Sequence, residues 1–137
     1  MKTFCLTILI SILIPIFSWA EGHVPDVRIL ARTTQSWDGH LLPAYPHGQP
    51  EITILEITIP AGAERPLHLH PVINAGVLLQ GELTVVTEQD EVLSLKAGEA
   101  IVEVVDKWHY GRNDGQQPAT IIVFYAGALD KPVTVLR

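Results

Sequence analysis

The feature that most constrains the chain is a pair of histidines, His68 and His70, separated by one residue in a stretch rich in strand-forming residues. Because side chains alternate across a β-strand, both imidazoles would leave the same face, with Cβ atoms roughly 6–7 Å apart. Two imidazoles at that spacing can close around one metal ion. The segment therefore predicts a strand that presents two metal ligands.

The first 20 residues have the features of a secretion signal. Lys2 supplies the charge, Phe4 to Phe17 is apolar, and Ala20 provides a small residue for cleavage. The run of about 14 residues is shorter than the roughly 20 that a membrane span requires. We expect cleavage after Ala20 and a periplasmic or secreted protein. An uncleaved membrane anchor is the alternative, and a lipoprotein is disfavoured because Cys5 precedes the apolar run.

Cleavage would leave 117 of the 137 residues, enough for one domain with one core. The only cysteine, Cys5, would leave with the signal, so the mature chain would have no disulfide. It would carry 15 acidic and 8 basic residues, a formal charge of −7. This excess of negative charge argues against nucleic acid and against an anionic membrane surface as partners.

Residues 21–50 are rich in proline and glycine, and we predict that they form an arm with one or two short strands. The arm would lie across a barrel or be exchanged with a second subunit, and Trp37 would be a packing anchor. After cleavage, Glu21-Gly22-His23 would place a histidine third from the amino terminus, a spacing suited to Cu(II) or Ni(II). The alternative is that this histidine occurs there by chance.

Residues 51–137 show the alternation of an all-β barrel or jelly roll, with turn residues between short strands and no helical period. In the first strand the apolar residues switch once from even-numbered to odd-numbered positions, which predicts a bulge near Ile54-Leu55. Val77 and Leu79 are predicted to face inward. The remaining strands are expected at Val92 to Leu95, Ala100 to Val105, Trp108 to Gly111 and Thr120 to Tyr125.

The spacing of the histidines is similar to that of the cupin family. The first family motif is matched by Gly62, His68, His70, Asn74 and Gly81, and the second by Gly98, His109 and Asn113. The proline and glycine of the second motif are replaced by Val104 and Asp106. The resemblance implies a small double-stranded β-helix barrel, also called a jelly roll, in which side chains at His68, His70 and His109 hold a metal.

Asn74 stands where the family usually has the fourth ligand, a glutamate. It could be a weak oxygen ligand, an outer hydrogen-bond partner of an imidazole, or a turn residue before Gly76. If it faces inward together with Val77, a bulge at Ala75-Gly76 is needed. With no carboxylate, a divalent ion would keep its +2 charge, which favours Fe, Zn, Ni or Cu over Mn and attracts an anionic ligand.

Few other residues are candidates to shape the pocket. Arg65 lies in the loop before His68, and alternation places Lys107 on the face of His109, where it could reach an anionic ligand. A general base would come from Glu103, Glu56, a metal-bound hydroxide or the substrate. We assign no role to the two remaining histidines of residues 24–137, which are His40 and His47.

Two classes of function remain open. The first is a metal-dependent enzyme acting on a small anionic or chelating molecule, for example a dioxygenase or isomerase, since three-histidine cupins include non-haem iron dioxygenases. The second is a non-catalytic module that binds a metal or small ligand. A barrel with a vestigial site is a further alternative. Because such barrels have exposed edges and an apolar outer face, we expect a homodimer formed through the arm.

Overall fold

The computed structural model describes residues 25–137, and this part of the chain is built from strands and turns without a helix. The signal segment and the Glu21-Gly22-His23 terminus lie outside the described residues. None of the residues described forms a helix that is long and apolar enough to cross a membrane.

The strands are β1 (Pro50–Ile59), β2 (His68–Leu69), β3 (Ile73–Gln80), β4 (Glu82–Thr87), β5 (Val92–Lys96), β6 (Ala100–Val102), β7 (His109–Arg112), β8 (Ala119–Ala128) and β9 (Val135–Leu136).

The strands form two antiparallel sheets, with the orders β1-β8-β3-β6 and β5-β4-β7-β2-β9. Inward side chains of both sheets join one buried cluster, to which β8 gives Ile121 and Val123 and β4 gives Leu83 and Val85. The alternation in the sequence predicted this arrangement because each sheet buries one face. The all-β jelly-roll fold is therefore confirmed.

Strand β1 is regular and does not contain the predicted bulge. It pairs with β8 in one unbroken register from Pro50 opposite Ala128 to Ile59 opposite Ala119. The inward face carries Ile57 and Ile59, whereas Ile54 points outward and is 63% exposed. The change of parity in the sequence therefore marks apolar residues on both faces of the strand.

Strand β3 also differs from the prediction. Asn74, Gly76 and Leu78 face inward, and Leu78 is fully buried, whereas Val77 is half-buried and Leu79 is exposed. The predicted bulge at Ala75-Gly76 is absent, and the register shifts between Leu78 and Gln80 instead. A glycine is needed at position 76 because a Cβ there would lie 2.8 Å from the carbonyl oxygen of Ile122 on β8.

The described part of the arm lies against its own barrel and contains a turn, with an isolated bridge between Gln35 and Leu41 in place of the predicted short strands. The amide of Trp37 donates to the carbonyl of Val102 at the end of β6, and the Trp37 side chain packs on the core. The prediction that Trp37 is a packing anchor is confirmed. This contact fixes the arm beside the segment that leads from β6 to β7.

Candidate metal centre

Three histidines converge between the two sheets. His68 on β2 lies directly opposite His109 on β7, and His70 follows β2 by one residue. The ring centroids are 4.5 Å apart for His68 and His109, and 5.0 Å apart for the other two pairs. One ligand nitrogen from each ring lies within 4.8 Å of the other two. The prediction that these three residues share one site agrees with this geometry.

Backbone carbonyls fix the orientation of all three rings. Nδ1 of His68 lies 2.7 Å from the carbonyl oxygen of Pro66, and Nδ1 of His109 lies 2.8 Å from that of Lys107. Nδ1 of His70 lies 2.8 Å from the carbonyl oxygen of Val133, just before β9. A carbonyl can only accept, so each Nδ1 carries the proton and each Nε2 keeps a lone pair for a metal.

Burial keeps the imidazoles neutral. Removal from water lowers the pKa of His68 from 6.5 to about 4 and that of His70 to about 3, although the carbonyl contacts act in the opposite direction. Burial also lowers the pKa of His109. The buried Nε2 of His109 has no hydrogen-bond partner among the described residues. Three neutral imidazoles with free Nε2 atoms are a donor set that fits a divalent transition metal.

The metal-free protein is expected to lose about 1–2 kcal/mol of stability when the pH falls from 7.5 to 5. The unfolded chain protonates His68 and His70 near pH 6.5, whereas the folded protein resists protonation down to about pH 4 and 3. Their contribution to stability is therefore present above pH 6.5 and is lost as the pH falls. Glu103 partly offsets this loss, because burial raises its pKa to about 7 and the folded protein then binds a proton that the unfolded chain does not.

Urea unfolding in the presence of a chelator measures this loss. A variant at an exposed histidine, His47→Gln, is the matched control and should show the same loss as the unmodified protein. A free energy of unfolding that stays constant between pH 7.5 and 5 would contradict the expectation.

The histidines open into a small cavity of about 40 Å³ whose wall is largely apolar. Its polar members besides the histidines are Arg65, Glu103 and Tyr125. The loop before β2 places Arg65 there, since the Arg65 amide donates to the carbonyl of Gly111 at 2.8 Å. Nε of Arg65 is buried without a hydrogen-bond partner among the described residues. The predicted role of Arg65 in shaping the pocket agrees with this position.

Glu103 and Tyr125 are the residues of the cavity that the sequence indicated least. Glu103 follows β6 and Tyr125 lies on β8, where its ring centroid is 5.2 Å from that of His70. From the sequence, Glu103 was predicted only as one possible base, and Tyr125 only as the end of a strand. The available signal was alternation, since Ile101 and Glu103 share one face at the end of an inward-facing strand.

Asn74 is buried but does not line the cavity. Its Nδ2 donates to the carbonyl of Val72 at 3.3 Å, and its Oδ1 has no partner among the described residues. Asn113, which matches the second motif, has a structural role because its Nδ2 donates to the carbonyls of Ile59 and Gln117. The side chain of Asn74 is thus bonded to the backbone just before its own strand, β3.

Two predicted pocket residues lie elsewhere. Lys107 was expected to reach an anionic ligand in the pocket, but its Nζ donates to Asp38, at 2.8 Å, and to Glu91. Lys107 lines a surface groove beside the arm. It precedes β7, so the alternation of that strand does not extend to it. Glu56 is exposed on the outer face of β1 and cannot serve as a base in the cavity. Among the described residues, Glu103 is the acidic side chain that lines it.

Comparison with known proteins gives one family and several similar structures. The family model described as "Cupin domain" matches residues 55–125. No curated protein matches the sequence. The DMSP lyase DddQ from Ruegeria pomeroyi DSS-3 has a TM-score of 0.54 and 25% identity, and the match covers 62% of this chain and 42% of the lyase.

An oxalate oxidase in complex with the substrate analogue glycolate gives a TM-score of 0.53 at 24% identity, over 62% of this chain and 45% of the oxidase. A cupin-like protein from Thermotoga maritima MSB8 gives a TM-score of 0.54 at 12% identity, over 63% of this chain and 64% of that protein. The match thus spans less than half the length of the lyase and of the oxidase. The likeness to the oxidase and the Thermotoga protein concerns the fold.

Proposed function

The chain belongs to the cupin family, and on this premise we propose that it binds a divalent metal through His68, His70 and His109 and holds a small anion beside it with Arg65. The observation that carries the proposal is the set of three buried imidazoles whose Nδ1 atoms are all held by carbonyls. This set leaves three Nε2 lone pairs, one from each ring, in one small cavity. Neutral imidazoles suit Fe, Zn, Ni or Cu better than Mn.

The anion is inferred from charge and size. Three neutral imidazoles contribute no negative charge, so the occupied site stays positive even with one carboxylate beside it, and Arg65 adds a further positive charge to the same cavity. Nε of Arg65 is buried without a partner, and an anionic oxygen would satisfy it. A cavity of about 40 Å³ is far smaller than the roughly 300–1,000 Å³ of drug-sized ligand pockets. The ligand is therefore a compact anion such as a short carboxylate.

A bound metal would act as a Lewis acid on an oxygen of that anion. The residues of the chain provide the surroundings: Arg65 orients the anion, and the apolar wall, including Ile59 and Leu83, excludes water. Catalysis on the bound anion is the second candidate function. It is favoured by Tyr125, which lines the same cavity and carries a proton, because burial raises its pKa.

Titration of the Co²⁺-loaded protein with oxalate and acetate tests the proposal. We expect both anions to bind, and we expect Arg65→Gln to weaken oxalate binding by about 10–100-fold, the value of one hydrogen bond to a charged group. Arg112→Gln is the control, because Arg112 pairs with Asp114 on the surface. Absence of anion binding, or equal affinity in Arg65→Gln, would contradict the proposal. NMR spectra of the same samples separate an enzyme, which changes the anion, from a binding module.

We also propose that the protein is exported and forms a homodimer. The sequence of residues 1–20 supports export. An apolar outer face supports the dimer, since Ile54 and Phe124 are exposed neighbours on β1 and β8, and Leu30 of the arm lies beside this face. A monomer in analytical ultracentrifugation would refute the dimer, and a mature protein that still begins at Met1 would refute signal cleavage.

A further inference from the structure

Glu103 and His109 form a pair that the described protein atoms do not satisfy. Oε2 of Glu103 lies 3.7 Å from Nε2 of His109, and both atoms are buried without a hydrogen-bond partner among the described residues. Nδ1 of His109 is held by the carbonyl of Lys107, so Nε2 is an acceptor, and a carboxylate oxygen is also an acceptor. Two acceptors cannot bond to each other, and even with a proton on Glu103 the separation of 3.7 Å is too long for a hydrogen bond. A cation between them would satisfy both.

The backbone fixes where the Glu103 carboxylate enters the cavity. The Glu103 amide donates to the carbonyl of Asn74 at 3.1 Å, which joins the end of β6 to β3. The carboxylate reaches the cavity, whereas the side chain of the neighbouring Asn74 does not line it. The anionic oxygen ligand that position 74 lacks is thus available from the next strand in the sheet.

Within the described residues, His109 is the only basic side chain within 4.0 Å of the Glu103 carboxylate. Arg65 lines the same cavity but makes no ion pair with Glu103 at that distance. Ligand atoms about 2.0–2.2 Å from one ion in cis positions lie about 3 Å apart. The separation of 3.7 Å between Oε2 of Glu103 and Nε2 of His109 is close to this value.

We propose that Glu103 is the fourth protein ligand of the metal, supplying from the end of β6 the carboxylate that Asn74 does not provide. This inference rests on the proposed metal site. A carboxylate would reduce the charge of the occupied site from +2 to +1. It would also add a hard oxygen donor, so the site would accept Mn²⁺ and Fe²⁺ more readily than three imidazoles alone.

Dissociation constants for Mn²⁺ and Zn²⁺, measured by competition with a chelator, test the inference on the full chain. We expect Glu103→Gln to weaken Mn²⁺ binding at least tenfold and Zn²⁺ binding less, because Zn²⁺ depends more on the imidazoles. The visible spectrum of the Co²⁺-loaded protein should also change, since one ligand is exchanged. Glu56→Gln, which removes an exposed carboxylate on the outer face of β1, is the charge-matched control and should match the unmodified protein.

The outcomes separate this inference from the proposed function. If the unmodified protein binds neither metal, both are wrong. If it binds metal and Glu103→Gln keeps both dissociation constants and the Co²⁺ spectrum, the three-histidine site stands and Glu103 is not a ligand. Glu103→Asp keeps the charge, so it should retain more Mn²⁺ affinity than Glu103→Gln. Equal losses in the two variants, with circular dichroism unchanged, would also overturn the inference.

Discussion

Replacing His68 and His70 together by alanine is expected to abolish metal binding. The double change removes two of the three Nε2 donors that converge in the cavity. The loss of affinity should exceed the roughly 10–100-fold that the loss of an outer hydrogen-bond partner typically costs, because direct ligands are lost. Elemental analysis of protein purified without a tag and isothermal titration with Zn²⁺ provide the measurement.

The matched control for this double variant is His40→Ala/His47→Ala. Both of these histidines are exposed, and His40 is paired with Asp38 on the arm. The control should keep the metal content of the unmodified protein. Metal should also raise the unfolding temperature of the unmodified protein and of the control, because a ligand that binds only the folded state stabilises it by about 2.7 kcal/mol at 100 times its dissociation constant.

Metal retained in the His68→Ala/His70→Ala variant would contradict the site in the barrel. The alternative site suggested by the sequence is the Glu21-Gly22-His23 terminus, which requires cleavage after Ala20. Copper that stays in the double variant and disappears when His23 is changed would assign binding to the amino terminus. Loss of metal in the double variant with His23 intact would instead support the three-histidine site.

The fold and the pair His68 and His70 could be predicted from the sequence because they depend on local alternation, whereas His109 was implied by the resemblance to the cupin motifs. A pair of histidines one residue apart on a strand must share a face, and His109 follows Gly98 by the spacing of the second cupin motif. Which face of β1 points inward could not be predicted in the same way. Ile54 and Ile57 are equally apolar, and only the packing of the β1-β8-β3-β6 sheet on the shared core places one outside and the other inside.

The remainder of the site depends on contacts between residues distant in sequence. Alternation places Lys107 on the same face as His109, towards the cavity. Its ammonium group is instead bound at the surface by Asp38, 69 positions earlier. The Glu103 carboxylate becomes a neighbour of His109 only because β6 and β7, which belong to different sheets, bring the two residues to the same cavity. Side-chain alternation therefore identified His68 and His70, and the resemblance to the cupin motifs implied His109, whereas tertiary packing decides which charged residues join them.

Removing residues 133–137 is expected to weaken metal binding by about 10–100-fold, the usual cost of losing an outer partner of a ligating histidine. The carbonyl of Val133 accepts from Nδ1 of His70 at 2.8 Å, and Oγ1 of Thr134 lies 3.2 Å from the same nitrogen. Strand β9 also pairs with β2, which carries His68. Without this segment, His70 would lose the contact that fixes its tautomer and ring orientation. Isothermal titration with Zn²⁺ provides the measurement.

Two milder variants show which part of the segment matters. Removing Arg137 alone eliminates its side-chain contacts with Glu88 and Trp108 and its amide bond to the carbonyl of Leu67. It leaves the carbonyl of Val133 and the Nδ1 partner of His68 in place, so metal affinity should not change. Thr134→Val removes one hydroxyl and keeps the same carbonyl, so its affinity should also stay close to that of the unmodified protein.

A truncated protein that is folded by circular dichroism and binds Zn²⁺ with unchanged affinity would show that the cavity orients His70 without β9. A loss confined to Thr134→Val and the truncation would identify the hydroxyl as the partner that counts, because both variants lack it while only the truncation lacks the carbonyl.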